Sequence, residues 1–141
     1  MIDSRTAPYA ALVLRVSLGL MFIAHALLKY SVFTLPGTAK FFESLGLPGP
    51  LAYLTFAAEL IGGALILLGL GARYASAALI PILIGATWAH AGNGWLFSAS
   101  NGGWEYPAFL AAAALAQALL GDGRYAMANL LFNRKPDPAY A

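Results

Sequence analysis

The chain contains no cysteine. That excludes disulfides, thiolate zinc sites, iron–sulfur clusters and thiol redox chemistry of the CxxC type. Charge is also scarce. Eight Lys or Arg and six Asp or Glu make 10% of 141 residues, against 60% hydrophobic residues. A soluble domain carries roughly a quarter of its residues charged, because a small chain has too little interior to hide apolar side chains. A disordered chain would be more polar still. The net charge of +2, with no basic run, excludes a nucleic-acid reader. Phosphate-loop, HExxH and GxSxG motifs are absent as well. An integral membrane protein is the class that remains.

Four apolar runs are present. A bilayer span needs about 20 mostly apolar residues. Spans are expected at about 8–29, 51–71, 74–91 and 104–121, in one domain with a polar tail over 122–141. The first run is too long for a cleavable signal peptide and reads as a retained span. The third contains Pro81, which a membrane helix tolerates when neighbours satisfy the freed carbonyl. The fourth is short and Ala-rich, and Pro107 belongs in its first turn. Between spans one and two, residues 38–45 (TAKFFESL) predict a short interfacial helix. Thr38 would be its N-cap, and Phe41, Phe42 and Leu45 would share one face. The expected fold is thus all-α: a transmembrane four-helix antiparallel bundle with an interfacial helix between spans one and two. A further short interfacial helix is expected over 127–132.

Orientation follows the Lys/Arg bias. One side carries Arg5, Arg73, Arg124, Arg134 and Lys135, and the other Lys29 and Lys40. Both termini are therefore expected in the cytoplasm. Trp88, Trp95, Trp104 and Tyr106 would form an aromatic belt at the outer surface.

Ionisable residues inside a span are costly and mark candidate sites. Arg15, His25 and Lys29 fall within about 80° of one another around the first helix. Glu59 lies between Arg15 and His25 in depth if each span starts at the membrane boundary. Glu105, Tyr106, Trp88 and His90 collect at the outer end. Two readings stand. In one, Arg15 with Glu59 and Lys29 with Glu105 are ion pairs that fix packing. In the other, the outer end is a pocket for a flat polar headgroup, with His25 or Lys29 donating to its oxygens and Arg15 and Glu59 closing its floor. His25 and His90 could also ligate haem from two helices, and Arg15, Glu59 and His25 could line a proton or small-solute path. Ala58 and Gly62 form a small-xxx-small pattern, and Gly62 with Gly63 permits close helix approach.

The chain resembles the DoxX family of small four-helix membrane proteins through nearly its whole length. The matching pieces are Arg15 followed by LGLMFIAHALLK, TAKFFESLGLP, AELIGGALILLGLGAR with Glu59, GGWEYP with Glu105, and LLGDGR. The resemblance implies a membrane subunit or partner of a redox system. One branch is associated with thiosulfate:quinone oxidoreduction, and others with tolerance of quinones, oxidative stress or sulfur compounds. Arg15, His25, Lys29, Glu59 and Glu105 carry over as motif positions without an assigned reaction. The leading expectation is a subunit of a quinone-linked oxidoreductase in a bacterial inner membrane. It would bind a quinone or similar molecule, with no covalent cofactor, no metal and no nucleic acid. Its partners would be lipid, a redox subunit and a second copy in a homodimer. The alternative is a non-catalytic partner-binding or assembly factor.

Overall fold

The computed structural model describes residues 3–132. Arg134 and Lys135, which enter the orientation count, lie outside that range. The chain is all-helical, with no strand among the described residues. Helix α1 runs Ala7–Ser31, α2 Leu35–Ser44, α3 Leu51–Leu68 and α4 Ala72–His90, followed by a single 3-10 turn, Ala91–Asn93. Helix α5 runs Glu105–Leu120 and α6 Met127–Leu131. Helices α1, α3 and α4 (the last with its 3-10 turn) are long and apolar enough to cross a membrane, whereas α5 has 16 residues. Helix α4 continues through Pro81.

The surface is apolar where a soluble protein would be polar. Val13, Leu20, Leu54, Ile61, Ile84, Phe109 and Leu119 are all exposed. Arg15, Glu59, Ser76 and Gln117 are buried. Such an inside-out distribution is unfavourable in water and suits hydrocarbon, which rewards hidden polar groups.

Helix α1 packs chiefly on α3, α4 chiefly on α5, α3 also on α4, and α1 more lightly on α5. Two glycines of α3 explain the first and third contacts. A Cβ on Gly63 would lie 3.0 Å from the Gly19 carbonyl and from Ile23 of α1. One on Gly62 would strike Leu79 of α4. Adjacent glycines thus let α3 approach both neighbours, which side chains would prevent. Leu18, Phe22, Ile66, Leu79, Leu83 and Leu110 fill the space between the helices.

The ends are set by local chemistry. Gly69 ends α3 in the left-handed conformation, φ 69°, where glycine carries no steric cost. Its N–H bonds the Ile66 carbonyl, and Leu70 N–H bonds the Leu65 carbonyl at 2.9 Å. The α3–α4 turn follows at once; it marks one end of the molecule, the turn end. The 92–104 segment marks the other, the loop end. Helix α2 begins at Leu35, earlier than expected, because Thr34 and not Thr38 is its cap. The Thr34 hydroxyl accepts the Gly37 N–H at 3.2 Å, and Pro36 fits the first turn. Thr38 is buried and donates its hydroxyl to the Thr34 carbonyl.

Gly19→Ala tests the α1–α3 approach. The added Cβ would sit 2.7 Å from the Leu67 backbone nitrogen, so the helices must separate. A loss of about 1–3 kcal/mol is expected. Gly85→Ala on α4 meets nothing within 4 Å and should gain about 0.5–1 kcal/mol. Thermal unfolding of the two variants in one detergent should move in opposite directions.

Candidate functional site

The eight candidate residues separate into distinct settings, and neither expected ion pair is present among the described residues. Lys29 Nζ donates to Glu59 Oε2 at 2.6 Å, with side-chain exposures of 18% and 7%. Arg15 does not reach Glu59, and Glu105 does not hold Lys29. The reason is helix register. Gly63 lies opposite Ile23, and Leu67 opposite Gly19. Glu59 is therefore level with the last turns of α1, within reach of the long Lys29 stem. Arg15 lies level with Gly69, beyond the end of α3.

Arg15 is buried at the turn end and holds backbone, not a carboxylate. Its Nη1 donates to the Asp122 carbonyl, and its Nη2 donates to the Tyr125 carbonyl at 2.9 Å. A fork of N–H donors suits two carbonyls of one chain segment, which a lysine could not span. Gly69 makes room, since a Cβ there would collide with the guanidinium and Ala126. Arg15 therefore pins the segment after α5 across the turn end and is no pocket floor.

Asp122 was not among the sequence candidates. Its Oδ1 accepts the Ala72 N–H at the start of α4. That helix begins at Gly71 with no side-chain cap of its own. A carboxylate beside free N–H groups satisfies them and faces the positive end of the helix dipole. The signal was legible: a helix start lacking Ser, Thr, Asp or Asn needs a cap from elsewhere.

At the loop end the structure brings three candidates together. His25 and Tyr106 stack, with ring centroids 5.7 Å apart and an interplanar angle of 21°. His25 Nδ1 lies 2.8 Å from the Met21 carbonyl. A carbonyl only accepts, so Nδ1 carries a proton and donates it to this bond. The Tyr106 hydroxyl donates to the Met21 sulfur. Glu105 opens α5, and its Oε1 accepts the Phe97 N–H at 2.8 Å. The Glu105 N–H bonds the Trp95 carbonyl, and Trp104 N–H bonds the Gly94 carbonyl. These bonds draw the 94–97 segment over the start of α5. Trp95 and Trp104 meet edge to face at 4.5 Å.

An open groove of about 450 Å³ results, lined by Trp95, Phe97, Glu105, Tyr106, Ala108 and Phe109. Trp95 and Phe97 joined the site through a fold-back of the loop that residue spacing does not display. Trp88 lies outside this groove. With Thr87, Ile84, Trp104, Ala108 and Ala111 it lines a neighbouring apolar groove of about 500 Å³ between α4 and α5. His90 is a loop anchor: its Nδ1 is 3.1 Å from the Asn101 carbonyl and 3.2 Å from that of Gly102. Asn93 Nδ2 donates to the same two carbonyls. Neither histidine is part of a metal-ligand cluster among the described residues.

A model of the DoxX family matches residues 10–92. The matched region holds Arg15, His25, Lys29, Glu59, Trp88 and His90, and stops before Glu105 and Tyr106. A protein of Bacillus subtilis (strain 168) named "Putative oxidoreductase CatD" is 44% identical over 75 residues, 53% of this chain. That stretch covers 54% of CatD, so the chain matches about half the length of this curated relative. No solved structure matches.

Two predictions follow from the site's electrostatics. Lys29→Met leaves Glu59 buried without its counter-charge and should cost about 3 kcal/mol. Adding Glu59→Leu to Lys29→Met should restore most of it, because an apolar pair removes the desolvation cost altogether. A double-mutant cycle of unfolding midpoints checks this. Asp122→Ala should cost about 1 kcal/mol through the lost α4 cap, and Asp122→Asn much less.

Proposed function

The chain belongs to the DoxX family of membrane proteins, and from that premise we propose that it is a redox-linked membrane subunit that binds a quinone-type molecule at its loop end. The observation that carries the reading is the aromatic groove beside Glu105, with His25 stacked on the Tyr106 wall. A groove with flat aromatic walls and one fixed polar group is the usual build of a small-molecule site. A planar ring would lie against Trp95 and Tyr106, and Glu105 would fix its orientation. Lys29 and Glu59 support the site from within by holding α1 to α3. The name of CatD, a description of that protein alone, agrees in reaction class. With no cysteine in the chain, electrons would come from or go to a bound cofactor or a partner subunit.

The proposed setting is a bacterial inner membrane, with α1, α3, α4 and α5 as an antiparallel four-helix bundle, both termini cytoplasmic and the loop end outward. Helix α5 spans about 24 Å at ~1.5 Å per residue. The bilayer core of ~30 Å must therefore thin beside it, or the segment before Glu105 must sit within the interface. Helix α2 would lie along the outer surface.

A second reading has its own observation. Trp95, Leu96 and Phe97 form a run of exposed apolar side chains, which suits docking of a membrane partner. In that case the protein is a binding or assembly factor without a ligand.

Purified protein titrated with a short-tailed quinone, followed by its own tryptophan fluorescence, separates the two. Saturable quenching is expected, weakened at least about tenfold by Tyr106→Ala, which removes one aromatic wall. Saturation that ignores this substitution, or no binding, removes the quinone reading. Loss of a co-purified partner when residues 94–97 are replaced, with no quinone bound, favours the second.

A further inference from the structure

The one charged group that lines the aromatic groove, Glu105, is an acceptor. Lys29, the one ammonium group on this part of α1, is held by Glu59. The Tyr106 hydroxyl donates to Met21 Sδ, and His25 Nδ1 donates to the Met21 carbonyl. In the groove itself, Glu105 has one oxygen committed to the Phe97 N–H, and the other has no partner among the described residues. A carboxylate accepts hydrogen bonds and offers none. Hydrogen bonds to a charged group are about twice as strong as neutral ones.

From this inventory we infer that the groove binds the reduced, hydroquinone form of its ligand in preference to the quinone. The inference rests on the reading of the groove as a quinone-type site. A phenolic hydroxyl donates a hydrogen bond to the free Glu105 oxygen and keeps its proton. A quinone carbonyl can only accept. Placed in the same position, it sets its oxygen against the carboxylate with no proton between them. Stacking on electron-rich indole and phenol faces favours the electron-poor quinone ring, so a hydroquinone preference has to come from the polar group. Selectivity therefore resides in Glu105. No electron transfer is needed for it, since it is a difference in binding.

The test compares tetramethylbenzoquinone, its hydroquinone and the dimethyl ether of that hydroquinone, all anaerobically, on the purified full chain. The ether keeps the ring and has no O–H donor. The hydroquinone is expected to bind at least about tenfold more tightly than either, the factor for one charge-assisted hydrogen bond. Glu105→Gln supplies the sharper arm. Its carbonyl oxygen must stay on the Phe97 N–H, so the amide NH₂ turns towards the groove and replaces an acceptor by a donor. The hydroquinone preference should shrink to about twofold or reverse, with an unchanged unfolding midpoint as the check that the loop is still seated. Equal binding of the three ligands, or a preference that survives Glu105→Gln, overturns the inference while the quinone-site reading stands. Failure of all three ligands to bind overturns both.

Discussion

The close approach of α1 and α3 is the constraint on which the other contacts depend. It occurs where Gly19 meets Leu67 and where Gly63 meets Gly19 and Ile23. Backbones that come this near cannot slide by a residue without collision, so the glycines fix register as well as distance. Register then assigns the charges. Glu59 falls level with the last turns of α1 and meets Lys29. Arg15 falls past the end of α3 and meets the carbonyls after α5. One packing decision thus gives a closed ion pair near the loop end and a strap at the turn end.

The two ends solve the same problem by different means. Hydrocarbon leaves each polar group to find its partner inside the protein. At the turn end the solution is exchange between distant segments. Arg15 satisfies two carbonyls, and Asp122 supplies the cap that α4 lacks. These contacts tie α1, α4 and the segment after α5 into one rigid base. At the loop end the 94–97 segment folds back, and its backbone is satisfied by Glu105 and by the first turn of α5. That arrangement leaves aromatic faces and one carboxylate oxygen uncommitted. A rigid base with a polar, aromatic opposite end suits a protein that presents a site at one membrane surface.

Much of this was legible in the residues. The shortage of charge and the long apolar runs announced helices for a membrane, and the family resemblance is confirmed by the match over residues 10–92. Helical periodicity placed Arg15, His25 and Lys29 on one stripe. Pro107 is expected in the first turn of α5, and the structure begins that helix at Glu105. The pairing of charges was not legible. Depth along one helix can be counted, but the offset between two helices depends on where their surfaces lock. Trp95 and Phe97 were seen as belt or loop residues because their place in the groove depends on a backbone fold-back. Asp122 was seen only as part of a family motif because the helix it caps lies 50 residues away in the chain.

The sequence alone determined class and ingredients. Composition is additive, and helix period is a property of one segment, so both can be read without knowing the neighbours. The tertiary structure alone decided which ingredients meet. It joined Lys29 to Glu59, turned Arg15 and Asp122 to the backbone, and set Glu105 among the aromatic side chains of one groove. Those outcomes depend on contacts between segments far apart in the chain, where an offset of one helical turn changes every partner.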